Sequence, residues 1–355
     1  MITDLRLQHF RSYTDTSFEF GAQVNIIVGP NASGKTNLLE AILVLARGNS
    51  YRVRDNELVQ FGKPWCRLDA DLDAPEAKRT VKIESEPKPS KTYDLDDKIY
   101  HRLSMQHTLP TVLFEPNHLA LLHGTPELRR NYLDELLEQT IPSYGSHRRV
   151  YRRLLSQRNA LLKQPKQPSS EEMFPWNLRL SEMGASLARH RAEVVDMISQ
   201  TLPGLYAKLS GTKNKVKLVY KPSFPLETYE SQMMHKLETH AAIDAQRGFT
   251  AYGPHREDFT VFFDGHPSEE TASRGETRTV ILALKIIELQ RLEAIRQQTP
   301  LLLLDDVFSE LDGARRRALT SYLQSYQTFL TTTDADVVVK HFTETSTVIP
   351  LKKDH

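Results

Sequence analysis

Eight residues near the start of the chain, Gly29-Pro30-Asn31-Ala32-Ser33-Gly34-Lys35-Thr36, match the spacing G-x-x-x-x-G-K-[ST]. In that spacing the glycines let backbone N–H groups wrap a β-phosphate, the lysine reaches the β/γ oxygens, and the threonine hydroxyl is a ligand for Mg²⁺. The expected cofactors are ATP and Mg²⁺, held by Gly29 to Thr36. Far along the chain, Leu301 to Leu304 form an apolar run that ends in Asp305 and Asp306. Such a run is a buried strand that delivers its carboxylates to the C-terminal edge of a sheet, where open α/β sheets bind ligands. Adjacent strand residues point opposite ways, so the two can divide their work. Asp305 is expected at the metal, and Asp306 at the attacking water as the catalytic carboxylate beside Lys35. A third segment, Ser273-Arg274-Gly275-Glu276-Thr277, opens a long amphipathic pattern and places a serine and a glycine at a helix N-terminus, a second place for an anion. A fourth group is basic: Arg148, Arg149, Arg152, Arg153, Arg158 and Lys163 lie on one helical pattern. Their charges can neutralise phosphates without reading bases. The one aromatic among them, Tyr151, makes no series of stacking rings, which favours duplex backbone over a single-strand stacking platform.

The elements that must position these groups follow from periodicity. "VNIIVG" reads as a buried strand entering the phosphate loop, with a helix over Asn37 to Arg47 behind it. Alternation in "ITDLRLQHF" and between Trp65 and Ile83 predicts further strands, the latter antiparallel, and Glu84 to Lys91 is an exposed loop by its prolines and charges. "TLPTVLFEP" is a short strand stopped by Pro116. From Thr125 the texture becomes helical through three long segments, the second and third separated by Gln164 to Pro175; strands return at "VKLVY" and "FTVFFDG", and a helix from about Glu276 follows. The order is mixed α/β, a helical block, then mixed α/β again. That order predicts a nucleotide-binding head built from residues 1–124 and 246–355, with a helical arm, residues 125–245, inserted between them.

Composition limits the alternatives. The chain has 355 residues, 39% hydrophobic and 26% charged, with a formal net charge of +1. That is a globular balance, and no apolar run approaches the roughly 20 residues needed to cross a bilayer. The single cysteine, Cys66, is expected to be a buried hydrophobe, and the whole favours a cytoplasmic setting with no membrane. Near-neutral net charge leaves room for a local basic patch.

The order of phosphate loop, serine–glycine signature, acidic strand and Ser309-Glu310-Leu311-Asp312 resembles the ATP-binding-cassette class. "LRLQHFRSY", "FEPNHLALLHGTPELRRNYLD", "AYGPHREDF", "LLLLDDVFSELD" and "TTTD" narrow that resemblance to the bacterial RecF family of recombination and repair proteins, over nearly the whole chain. The resemblance implies an ABC/SMC-like ATPase head with a short helical arm. It also implies an ATP-dependent homodimer on double-stranded or gapped DNA without sequence preference, slow hydrolysis, and cooperation with RecR and RecO to load RecA at single-strand gaps. Roles in DNA repair, replication restart and SOS induction come with it. Residue by residue, it places Arg11 near the nucleotide, has Ser273 and Gly275 act on nucleotide held by the partner subunit, and puts Asp312 in a loop that meets that partner. Gln106 is a candidate metal-sensing glutamine. Two positions depart from the pattern: Glu276 stands where the family has glutamine, and Thr331 to Thr333 stand where transporters carry a switch histidine. Two other readings are a cassette ATPase that drives a transporter, which the missing histidine opposes, and a P-loop kinase acting as a monomer, which the late acidic strand opposes.

Overall fold

Short apolar segments too uniform to have a solvent face should pair on both edges and be covered on both faces, and a computed structural model of the chain shows paired strands on both sides of Val24–Val28 and Leu301–Leu304, with Thr111–Phe114 at the sheet's edge. It describes residues 1–73, 78–166, 168–212, 214–323, 325–334 and 346–352. Contacts divide the chain into two compact units, Met1–His118 with Glu288–His355, and Leu119–Ile287.

In the first unit the chain runs through β1 (Ile2–Phe10), β2 (Tyr13–Glu19), β3 (Val24–Val28), α1 (Lys35–Arg47), β4 (Trp65–Leu72), β5 (Lys78–Glu84), β6 (Ser90–Leu95), β7 (Lys98–Tyr100) and β8 (Thr111–Phe114). In the second come α2 (Pro126–Thr140), α3 (Tyr144–Leu162), α4 (Ser170–Ser210), β9 (Val216–Lys221), α5 (Tyr229–Thr239), α6 (Ala241–Arg247), β10 (Asp258–Phe263), β11 (His266–Pro267) and α7 (Ser268–Thr271). Helix α8 (Arg274–Arg296) leads back to the first unit, which ends with β12 (Leu301–Leu304), α9 (Val307–Glu310), α10 (Gly313–Leu323), β13 (Thr328–Thr332) and β14 (Ser346–Pro350).

Two sheets enclose α1. One is parallel, in the order β14-β3-β13-β12-β8, and the other antiparallel, in the order β2-β1-β4-β5-β6-β7. Sandwiched in this way α1 buries ten of its thirteen residues, which is why "LLEAILVLA" carries apolar side chains almost all round. Leu5, Leu7, Cys66, Leu68, Val81, Ile83, Leu303 and Phe329 join it in one core. Burial there pushes the Cys66 thiol up to about 12, so it is an un-ionised, unreactive group.

The chain's contacts divide at 118/119 and 287/288, whereas the sequence reading places borders at 124/125 and 245/246. The later border is governed by long-range pairing: β10 is hydrogen-bonded to β9 along its whole length, from Asp258–Lys221 to Phe263–Val216. Helix α4 also differs from expectation. It starts at Ser170 with a capping box between Ser169 and Glu172 and runs on through Pro175, so part of the expected linker is helical.

The second unit is held by buried polar groups. Asp134 on α2 accepts from Arg191 on α4 at 2.8 and 3.0 Å and from Tyr144 at 2.5 Å, while Arg129 clasps Asp258 at 2.8 and 2.7 Å. Glu257 is 2% exposed and accepts from the Tyr220 and Tyr229 hydroxyls. Beside it His255 takes part in two hydrogen bonds: Nδ1 with the Tyr151 hydroxyl at 2.7 Å, and Nε2, which must donate, with the Thr250 carbonyl at 3.0 Å. Burial pulls His255 down to about 4, and the Thr250 carbonyl only partly offsets it. The folded imidazole is therefore neutral where an unfolded one, with a pKa of about 6.5, takes up a proton. Its contribution to stability is complete above pH ~6.5 and is lost as pH falls toward 4, at about 1.4 kcal/mol per pH unit. Urea unfolding of wild type and His255→Gln across that window should show the wild type losing stability more steeply by this slope; parallel slopes would refute it.

Candidate functional site

Parallel pairing decides which loops meet. β3 and β12 are not neighbours: β13 lies between them, paired Thr328–Val24 through Thr332–Val28 on one side and Leu302–Thr328 through Leu304–Leu330 on the other. The phosphate loop after β3, the carboxylates after β12 and the threonines ending β13 therefore emerge side by side at one sheet edge.

In the loop, Lys35 is 5% exposed and its Nζ donates to the Gly29 and Pro30 carbonyls at 2.8 and 3.0 Å. Gly34 has φ +93°, and a Cβ there would come within 2.8 Å of the Tyr13 hydroxyl, which donates to the Gly34 carbonyl at 3.1 Å. Only glycine meets both conditions. Ser33 Oγ is buried and makes no hydrogen bond among the described residues, an orphan hydroxyl in a loop that can encircle a phosphate.

Asp305 is 7% exposed. Its Oδ1 accepts from Thr36 at 3.1 Å and from Thr331 at 2.9 Å, and its Oδ2 accepts from the Tyr51 hydroxyl at 3.2 Å. Neighbouring oxygen ligands of an octahedral Mg²⁺, each ~2.1 Å from the metal, lie ~2.9 Å apart. The Thr36–Asp305 oxygen pair thus fits a magnesium ion bound by few protein ligands, and among the described residues no cluster of three or more acidic, histidine or cysteine groups offers an alternative. Asp306 has a left-handed backbone, φ 51°, pinned by its N–H donating to Thr331 Oγ1 at 2.8 Å. Burial raises its carboxyl, Lys35 lowers it and Asp305 raises it further. The two carboxylates differ in surroundings: one is locked by three hydroxyls and the other carries extra proton affinity.

Arg11 is near this loop but engaged: its Nε donates to the buried Glu40 at 2.8 Å, and its Nη1 to the Glu57 carbonyl at 3.2 Å. With Ser12, Asn37, Arg52, Asn56 and Phe61 it lines a cavity of about 630 Å³ next to the start of α1. Gln106 is at the other end of the sheet, in a cavity with Met1, Leu301 and Gln327, where β12 and β13 begin. Ligands of such sheets bind at the strands' C-terminal ends, so Gln106 stands away from the edge that carries Thr36 and Asp305. Asp312 is exposed and accepts from the Arg315 N–H at 3.0 Å, a bond that lowers its carboxyl below the usual range.

In the second unit Ser273 and Glu276 form a reciprocal cap on α8: Glu276 accepts from the Ser273 N–H at 2.8 Å, and Ser273 Oγ from the Glu276 N–H at 3.2 Å. The carboxylate that stands in place of glutamine is turned onto its own helix terminus, and Ser273 stays exposed with Gly275 partly so. The basic row on α3 is split. Arg148 pairs with Asp134 and Glu138 at 2.9 and 2.8 Å, and Arg158 is fully buried against Asp244 at 2.8 Å. These two are structural, a correction to the expected row, which leaves Arg149, Arg152 and Arg153 exposed together with Lys163. The signal was present in the sequence: Tyr144, Arg148, Tyr151, Leu155, Arg158 and Leu162 recur every three or four residues and mark one inward face. Tyr51, by contrast, belongs to no helix or strand and to no motif.

Comparison with known proteins bears on the fold and the family. The RecF/RecN/SMC N-terminal domain family matches residues 1–354. A DNA replication and repair protein RecF from Heliobacterium modesticaldum is 35% identical over 342 residues, covering 94% of this chain and 92% of its own. The RecF of Shouchella clausii is 34% identical over 351 residues, covering 94% and 92%. A solved structure of the recombination mediator protein RecF-ATPrS in the RecFOR pathway superposes with a TM-score of 0.86 at 27% identity, covering 95% and 93%. An Smc head domain from Pyrococcus furiosus, 16% identical with a TM-score of 0.52 over 96% and 91%, shares the fold. With an ABC/SMC-like ATPase fold and relatives of this identity along nearly its full length, the chain belongs to the RecF family of DNA replication and repair proteins.

Proposed function

We propose that the protein is an ATP-switched recombination mediator that closes as a homodimer on duplex or gapped DNA and, with RecR and RecO, promotes RecA loading at single-strand gaps in the cytoplasm. The observation that carries the reading is the convergence of Lys35, Thr36, Asp305 and Asp306 at one sheet edge. Thr36 and Asp305 would hold Mg²⁺, which when bound neutralises phosphate charge. Lys35 binds the β/γ oxygens, the amides of Gly29 to Gly34 wrap the phosphates, and Asp306 orients and deprotonates water. Arg11 lines the pocket for the nucleoside. The exposed terminus of α8 supports a role for Ser273 and Gly275 toward nucleotide on a second copy, and the exposed Asp312 a contact with that copy. Arg149, Arg152 and Arg153 are the arm residues offered to the DNA backbone. Hydrolysis is slow and DNA-stimulated, and it times release.

Ser273→Arg tests the shared site. The hydrolysis rate per wild-type protomer should rise with protein concentration and with gapped duplex, while Ser273→Arg stays at least tenfold lower and sediments as a single copy with ATP. Losing the helix cap costs only ~1 kcal/mol, so the variant should remain folded. A variant that dimerises with ATP as wild type does would overturn the shared site.

A further inference from the structure

We propose that Tyr51 and Thr331 are positioning residues that aim the Asp305 carboxylate at the metal, with Tyr51 fixing the oxygen that the phosphate loop does not reach. The inference rests on the nucleotide-site reading above. Asp305 Oδ1 has two donors, Thr36 and Thr331, but Oδ2 has Tyr51. When the Thr36 hydroxyl oxygen serves as a metal ligand its proton points away from the metal, which leaves Thr331 on Oδ1 and Tyr51 on Oδ2 as the side-chain donors among the described residues. Thr331 reaches Oδ1 because β13 lies between the strands that carry the loop and the carboxylates, and it is 0% exposed. Its single proton goes to Asp305 and its lone pair receives the Asp306 N–H at 2.8 Å, so one hydroxyl sets the rotamer of the first aspartate and the backbone of the second.

Tyr51 needs more support, since its segment has no regular structure. That support comes from the fully buried Glu40 of α1, whose Oε1 accepts from Ser50 and whose Oε2 accepts from Arg11. Ser50 Oγ in turn accepts from the Arg52 and Val53 N–H groups at 2.9 and 3.1 Å, closing a tight turn around Tyr51. The phenol hydroxyl has one proton to give, and the geometry directs it to Asp305 Oδ2. Hydrogen bonds to metal-ligating carboxylates fix their orientation, and losing one typically costs 10–100-fold in metal affinity.

The test uses the full chain, a fluorescent ATP analogue and Mn²⁺ as a spectroscopic substitute for Mg²⁺. Tyr51→Phe keeps the ring and removes one oxygen. We expect analogue affinity in EDTA to stay within about twofold of wild type, while the Mn²⁺ concentration giving half-maximal paramagnetic broadening of bound metal rises ~10-fold. Thr331→Val should shift it at least as far, and Thr331→Ser should restore it; should Thr331→Val not fold, Tyr51→Phe still decides. An unchanged Mn²⁺ midpoint in Tyr51→Phe overturns the positioning role. Equal weakening with and without metal would make Tyr51 a packing residue and overturn it too. A wild-type chain that binds no analogue at all would remove the nucleotide-site reading beneath it, an outcome distinct from the other two.

Discussion

Replacing Asp306 with asparagine should lower the single-turnover rate of ATP hydrolysis by about 10²–10⁴-fold, the usual contribution of a positioned general base, with nucleotide affinity within about threefold of wild type. The substitution isolates the chemistry because asparagine, after glycine, tolerates well the left-handed backbone found here, φ 51°, and the backbone N–H at 306 keeps its bond to Thr331. What is lost is the carboxylate's proton affinity, which burial raises. Asp305→Asn should behave differently, weakening metal-dependent nucleotide binding, because that carboxylate is bonded to Thr36. Measuring binding and single-turnover hydrolysis side by side checks the division. An Asp306→Asn rate within threefold of wild type would assign the catalytic role elsewhere.

The second large effect concerns stability. Arg158 and Asp244 are both fully buried and 2.8 Å apart, and the guanidinium also bonds Asn177 at 2.8 Å, Thr250 at 2.7 Å and the Leu237 carbonyl at 3.1 Å. One side chain thereby ties α3 to α4, α5, α6 and the turn before "GPHRED". Burial lowers the guanidinium's affinity for its proton and the Asp244 carboxylate restores part of it. Removing only Asp244 leaves an uncompensated buried charge, so Asp244→Ala should destabilise the fold by about 3–5 kcal/mol in urea unfolding. Arg158→Met with Asp244→Leu should recover much of that, since a well-packed apolar pair of similar volume often equals a buried ion pair. A loss below ~1 kcal/mol for Asp244→Ala would contradict the assignment of Arg158 as structural.

These two cases show where legibility in the sequence ends. Gly29 to Thr36 and Leu301 to Asp306 were readable because their signals are local: a strand, a loop of fixed length and a helix in the first, an apolar run ending in carboxylates in the second. The long helices after Thr125 were readable from periodicity, while the pairing of β10 with β9 was not, because it spans 37 or more residues that no local pattern records. The role of Arg158 depended on Asp244, which lies 86 residues away, and that of Arg148 on Asp134. Composition counts charges; only packing decides which face water. Tyr51 reaches Asp305 across a separation of 254 residues from an irregular turn, and neither its type nor its neighbours announce it. Glu276, a departure that threatened the signature, is absorbed by a capping box that the S-x-x-E spacing itself allows.

Sedimentation of Asp306→Asn with magnesium and ATP, with and without gapped duplex DNA, bears most directly on the claim that the site closes between two copies. Because hydrolysis is the proposed release step, this variant should accumulate as a stable two-copy species that forms with ATP, is lost with ADP, and is strengthened by DNA. If it binds ATP yet sediments as a single copy at every concentration, with or without DNA, the nucleotide site is complete within one chain and the switch proposed here is wrong.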